Sequence, residues 1–192
     1  MARVSSSDWL NVPNCITIFR LALVPVFVWL FLNHSPDWAL GCFLLASISD
    51  ALDGFLARLL NQKTKLGGIL DPIADKLLIF AALVVLVIQG QIPLWLLLLL
   101  LGQNLLMIGG ALMVRYKNLE IPTSPSRIGK YATFTLICMV VLALVISTGR
   151  APRSLDAYVP VLGFIAALCV VISTMQYFAR FGYLWFEPAR PR

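Results

Sequence analysis

The sequence predicts an all-α, polytopic membrane protein with six transmembrane helices and a short N-terminal interfacial segment, organised as one domain over residues 1–192. Three observations carry this expectation. Hydrophobic residues make up 60% of the chain and charged residues only 12%, with a mean hydropathy of +0.88; a soluble domain is roughly half apolar and about a quarter charged. Six apolar stretches, 16–32, 38–60, 73–88, 93–114, 128–147 and 158–181, approach the ~20 residues that span a bilayer as a helix. Turn-forming clusters separate them: Asn33-His34-Ser35-Pro36, Gly90-Gln91, Ile121-Pro122-Thr123-Ser124-Pro125 and Thr148-Gly149-Arg150-Ala151-Pro152.

Residues 5–10 read as the interfacial segment, with Trp9 as its anchor at the membrane surface. A secretory signal is not expected in this region. Arg3 does precede an apolar run, but Arg20 interrupts it and no small-residue cleavage site follows. Pro25 lies inside the first helix, where neighbouring helices can re-satisfy the carbonyl it frees. His34 is the sole histidine and falls in the loop before the second helix, with no Cys or His at ligand spacing, which argues against zinc. Cys15, Cys42, Cys138 and Cys169 are scattered through apolar stretches and read as small buried hydrophobes.

The net charge of +6 does not indicate nucleic acid, because the basic residues sit between apolar runs and form no continuous basic face. They mark topology instead. Arg58, Lys63, Lys65 and Lys76 cluster between the second and third helices, and Arg115, Lys117, Arg127 and Lys130 between the fourth and fifth. Arg3, Arg180, Arg190 and Arg192 lie near the termini, and only Arg150 and Arg153 fall on the other side. Both termini and the two basic loops are therefore expected at the cytoplasmic face, of the inner or plasma membrane if the protein is bacterial.

Four carboxylates, Asp50, Asp53, Asp71 and Asp75, interrupt the apolar pattern around the second loop. Asp50 and Asp53 are three apart near the cytoplasmic end of one helix, and Asp71 and Asp75 four apart at the start of the next. Both spacings put a pair on one helix face. Four carboxylates at a membrane edge repel one another and are expensive to desolvate. Oxygen donors without His or Cys suit Mg²⁺, Mn²⁺ or Ca²⁺. A cage of four can hold two such ions, an arrangement suited to displacement at phosphorus. Helix capping and pairing with Arg58, Lys65 and Lys76 is the simpler alternative, and Asp71 before Pro72 reads as a helix start. Capping leaves Asp50 and Asp53 unexplained, since a helix C-terminus disfavours negative charge. Gly54, Gly67 and Gly68 leave room for close approach, and Arg58 follows Gly54 by about one turn, within reach of a phosphate.

The run Asp50-Ala-Leu-Asp53-Gly54-Phe-Leu-Ala57-Arg58, continued through Gly67, Asp71 and Asp75, resembles the CDP-alcohol phosphatidyltransferase signature D-x2-D-G-x2-A-R-x8-G-x3-D-x3-D at all eight fixed positions. The opening Asn11-Val12-Pro13-Asn14-Cys15-Ile16-Thr17-Ile18-Phe19-Arg20 is similar to that family's N-P-N-x-L-T-x-x-R start of the first helix. The resemblance covers most of the chain, and six helices fit it.

The resemblance implies an enzyme of phospholipid biosynthesis that moves a phosphatidyl group from CDP-diacylglycerol to an alcohol and releases CMP. It implies Mg²⁺ or Mn²⁺, two ions, held by Asp50, Asp53, Asp71 and Asp75, with Asp75 also the general base. Asp50, Asp53, Gly54, Ala57, Arg58, Gly67 and Asp71 would line the CDP site. Membrane lipid as a partner and a homodimer are implied as well. Gly129-Lys130-Tyr131-Ala132-Thr133 resembles the G-K-x-x-T stretch of phosphatidylglycerophosphate synthases and CMP-forming cardiolipin synthases, which makes Arg127 and Lys130 candidates for holding an acceptor phosphate. A plain positive-inside loop explains the same two residues. Those subfamilies carry Arg followed by an acidic residue in the fourth helix, where this chain has Gln103-Asn104. Residues 114–119 look cardiolipin-synthase-like. Glycerol 3-phosphate is the expected acceptor, and phosphatidylglycerol the alternative.

Two readings from other classes fare less well. An ion-coupled transporter tends to show repeated halves and broken midplane helices, whereas these carboxylates gather at one face and no repeat is visible. An inactive membrane protein has no reason to keep four carboxylates at a lipid boundary.

Overall fold

In a computed structural model, the backbone is described for residues 12–59, 67–116 and 127–181, and the side chains for 16–49, 74, 76–110, 128–152 and 154–179. Among the described residues the chain is all helical. Six α-helices follow one another: α1 Val12–Leu32, α2 Pro36–Leu59, α3 Gly67–Ile88, α4 Leu94–Tyr116, α5 Arg127–Ser147 and α6 Tyr158–Phe181. A single 3₁₀ turn, Arg153–Leu155, precedes α6. The interfacial segment expected at 5–10, with Trp9, lies outside the described residues, as do Lys63, Lys65 and Lys117.

Apolar length located all six helices, and two of their starts need correction. α1 begins at Val12 rather than 16, and α3 at Gly67 rather than 73. Asp71 and Pro72 therefore stand in the second turn of α3, and the helix-start reading of Asp71 falls. Apolar length measures the stretch that can lie in lipid, whereas a helix extends for as long as its backbone bonds close. Pro72 gives up one such bond, to the carbonyl four residues earlier.

Two connections at one end of the bundle reveal how the chain turns. α1 closes with Ser35 N–H bonded to the Leu30 carbonyl (3.1 Å) and His34 N–H to Phe31 (3.3 Å), and α3 with Gln91 N–H to Leu86 (3.0 Å) and Gly90 N–H to Val87 (2.9 Å). Both are Schellman closures, which require a left-handed residue after the helix. His34 (φ 55°) and Gly90 (φ 72°) supply it. Ser35 then accepts from Ala39 N–H and Pro36 opens α2, where its missing donor is harmless. Gln91 Nε2 donates to Ser147 Oγ at 2.7 Å, so the ends of α3 and α5 stand side by side and the two helices run parallel.

α1 packs on α2 and α3, α5 on α6, α2 and α3, and α4 on α3 and α6. One core joins them, built around Phe27, Phe31, Phe43, Leu86, Leu96, Met139 and Leu144. The outward surface is also apolar: Trp29, Trp38, Leu98, Phe134, Phe164 and Leu168 are all exposed. A monomer in water rarely displays so much contiguous apolar area. Ser47, Ser49, Ser147 and Thr174 each donate to a carbonyl of the preceding turn, so their hydroxyls need no water. The segments Ile128–Ser147 and Tyr158–Ala179 are each long and apolar enough to cross a membrane, while the apolar parts of the other four helices are shorter. Cys42 is buried, Cys138 and Cys169 are half-buried, and all three are free thiols.

Candidate active site

The motif residues fall on helix faces that the core defines. On α2 the buried residues Ala39, Cys42, Phe43 and Ala46 recur at spacings of three and four. The same register continues through positions 50, 53, 54 and 57, which hold Asp50, Asp53, Gly54 and Ala57. Arg58 follows Gly54 by one turn. On α3 the buried stripe is Ala74, Leu78, Ala82 and Val85. Extended toward the start of the helix it reaches Asp71 and Gly67, and Asp75 shares the register of Leu78 and Ala82. The signature therefore prolongs the packing faces of two helices, α2 and α3, that touch each other. Asp50, Asp53, Gly54, Ala57, Arg58, Gly67, Asp71, Asp75 and Arg127 have their side chains outside the described residues, so their positions are known as helix positions.

α1 closes this end of the bundle from a third direction. Cys42 Sγ lies 3.5 Å from the Leu23 carbonyl oxygen, and the Phe27 and Phe43 rings are 5.8 Å apart between centroids. One turn before Leu23 comes Arg20, which is 0% exposed, and three residues earlier Thr17, also 0% exposed. Counted from the helix ends on the side of the Gln91–Ser147 contact, Arg20 precedes Leu32 by twelve positions, Asp75 precedes Ile88 by thirteen, and Asp50 follows Pro36 by fourteen. The three residues thus stand at similar distances, about 20 Å, from those helix ends at the helical rise of ~1.5 Å per residue. Arg20, the last residue of the stretch similar to the family's first-helix motif, is thus a fully buried guanidinium on α1.

α5 brings in the second basic loop. Arg127 precedes Ser147 by twenty positions, and Asp71 precedes Gln91 by the same number. The Gln91–Ser147 hydrogen bond sets the C-terminal ends of α3 and α5 side by side, so both helices run back from it toward their N-terminal turns. Lys130, in that turn, is exposed. Thr133 Oγ1 donates to the Gly129 carbonyl at 3.1 Å, which ties the G-K-x-x-T stretch into one helical turn. On α4, Gln103 and Asn104 are half-buried, and Asn104 Nδ2 donates to the Leu100 carbonyl at 2.9 Å. The neutral amide is thus bonded within its own helix.

Comparison with known proteins follows the same residues. A cardiolipin synthase (CMP-forming) of Streptomyces coelicolor is 40% identical over 141 residues, 70% of this chain and 65% of that protein. A putative cardiolipin synthase of Mycobacterium tuberculosis is 37% identical over 127 residues, 65% of this chain and 60% of its own length. The chain thus spans a little under two thirds of these relatives. A CDP-diacylglycerol–glycerol-3-phosphate 3-phosphatidyltransferase of Rickettsia typhi is 33% identical over 171 residues, 88% of this chain and 95% of that protein. Residues 10–181, which include every motif position discussed above, match the family profile itself, and the chain belongs to the CDP-alcohol phosphatidyltransferase family.

Proposed function

We propose that this protein is a membrane-embedded phosphatidyltransferase that moves a phosphatidyl group from CDP-diacylglycerol to an alcohol and releases CMP. The observation that carries the reading is the register of Asp50, Asp53, Asp71 and Asp75 on the packing faces of two touching helices. The donor set fits Mg²⁺ or Mn²⁺, because it consists of carboxylates with no His or Cys. Asp50, Asp53, Asp71 and Asp75 would hold two such ions, whose charge would neutralise the diphosphate and the departing CMP oxygen.

The chain's own groups account for the remaining chemistry. Gly54, Ala57 and Gly67 present small surfaces along which a nucleotide diphosphate can lie, with Arg58 as its cationic partner. Asp75 accepts the proton of the acceptor hydroxyl. The freed oxygen bonds to the phosphatidyl phosphorus, the bond from that phosphorus to the bridging oxygen breaks, and CMP leaves with the electron pair. Lipid tails lie in the grooves between helices, all six helices span the membrane, and the reacting end and both termini face the cytoplasm, where the basic loops gather. The working unit is a homodimer.

Arg127 and Lys130 hold the acceptor phosphate, and glycerol 3-phosphate is the acceptor this reading takes first, supported by the near end-to-end match to the Rickettsia typhi enzyme. Phosphatidylglycerol is the second reading, favoured by the higher identity to the Streptomyces coelicolor synthase. Both acceptors offer a glycerol hydroxyl near a phosphate. The test is CMP release by purified protein with CDP-diacylglycerol and Mn²⁺ or Mg²⁺, each acceptor in its own tube. Chelator-sensitive release with one acceptor supports the reading and picks that acceptor. Silence with every acceptor, in folded protein with metal, rejects it.

A further inference from the structure

Arg20 has no part in the transfer chemistry derived above, yet it is among the largest fully buried side chains in the described structure. A guanidinium stays ionised in proteins. Enclosed in an apolar bundle, it requires counter-charge within reach.

The chain offers few candidates. It has nine carboxylate residues. Asp37 sits at the outer start of α2 and is paired with Arg150 at 3.2 Å. Asp156 lies in the outer loop before α6. Asp8, Glu120 and Glu187 lie outside the described residues. What remains on the helices that pack against α1 is Asp50, Asp53, Asp71 and Asp75. Two of these, Asp50 and Asp75, lie within two positions of Arg20 in depth when counted from the outer helix ends. The Cys42–Leu23 and Phe27–Phe43 contacts bring α1 against the α2 face that continues into Asp50.

We infer that Arg20 is a positioning residue of the transfer site: its buried guanidinium is the fixed counter-charge that holds the α2 and α3 carboxylates in register whether or not metal is bound. This rests on the transfer reading for its purpose, but not for its physics. Carboxylates waiting between substrates repel one another, and a cation locked in the core restrains them without competing for substrate. Thr17, buried one turn away on α1, belongs to the same polar stripe.

The experiment uses the full-length protein in lipid nanodiscs and compares thermal midpoints in chelator and in saturating MnCl₂. Arg20→Gln should unfold at a lower temperature than wild type in chelator, and Mn²⁺ should close most of the gap. Adding Asp50→Asn or Asp75→Asn to Arg20→Gln should raise the midpoint above that of Arg20→Gln alone, because the unbalanced charge is removed. Arg20→Lys, which keeps the charge, should hold the wild-type midpoint more closely than Arg20→Gln. A deficit in Arg20→Gln that is the same with and without Mn²⁺ and unchanged in both double variants overturns the pairing and leaves Arg20 as a packing residue. If Arg20→Gln alone gives no folded protein, recovery in either double variant supports the pairing and failure in both rejects it. In wild-type background, kcat for CMP release should fall at least tenfold in Arg20→Gln while KM for CDP-diacylglycerol moves less than threefold. Coupling in the thermal series without any CMP release from wild type would sink the transfer reading and leave this one standing.

Discussion

The ring of Tyr177 on α6 lies directly over Gly110 on α4, close enough that a Cβ at position 110 would sit 2.8 Å from Tyr177 Cζ and closer still to its hydroxyl oxygen. No side chain other than hydrogen fits there unless the ring or a helix shifts. Overpacking of this kind costs about 1–3 kcal/mol. Gly110→Ala should therefore lower the thermal midpoint, and Tyr177→Phe in the same chain should recover part of the loss by removing the nearest atom. Gly109→Ala is the control, because a Cβ there meets nothing within 4 Å. It should be neutral or stabilising, since alanine exceeds glycine in helix propensity by about 1 kcal/mol.

Asp75→Asn should abolish CMP release while the protein stays folded and still binds the nucleotide. Loss of a general base lowers rates by roughly 10²–10⁴-fold. Retained turnover, read as CMP by chromatography, would defeat the role given to Asp75. Asp50→Asn should instead move the Mn²⁺ concentration needed for half-maximal activity upward; an unchanged metal dependence would argue against a shared carboxylate cage.

Lys130→Ala should raise KM for glycerol 3-phosphate by roughly tenfold, the low end of what a charge-assisted hydrogen bond is worth, since Lys130 is exposed to solvent. KM for CDP-diacylglycerol should stay within a factor of two or so, on the order of the error in such measurements. Equal rises in both constants would assign Lys130 to the positive-inside loop and not to the acceptor.

Two outer-face contacts should differ in strength. Gln91 and Ser147 are half-buried and joined at 2.7 Å, so Ser147→Ala should cost about 1 kcal/mol. Arg150 and Asp37 are 3.2 Å apart but largely solvated, and a double-mutant cycle on them should return about 0–1 kcal/mol that shrinks with salt. Denaturation in matched detergent at two ionic strengths separates the two cases.

His34 occupies a left-handed backbone conformation that glycine accepts freely. His34→Gly should be neutral or stabilising, and His34→Val destabilising by about 1–2 kcal/mol. A stability gain from valine would contradict the Schellman closure of α1.

Much of the fold was legible in apolar length and turn chemistry. The breaks at His34-Ser35-Pro36 and Gly90-Gln91 fall where the helices end. The start of α3 was not legible, because Gly67 and Gly68 are poor helix formers and Asp71-Pro72 imitates a cap. The Asp spacings are helical, and all four positions fall on α2 and α3. They could not reveal that the buried stripes on these helices run through Ala46 and Ala74, because burial depends on the neighbouring helices.

The sequence by itself determined the helical content, the apolar surface and the family, because residue type and spacing along the chain carry all three. Only the tertiary structure decided which residues from distant segments share a level. Gln91 bonding to Ser147 sets the ends of α3 and α5 side by side, and the packing of α1 on α2 and α3 buries Arg20 completely. The physical reason is that a helix has the same rise everywhere, so relative height is fixed by where the turns end and which side chains interlock, and neither can be read from one segment alone.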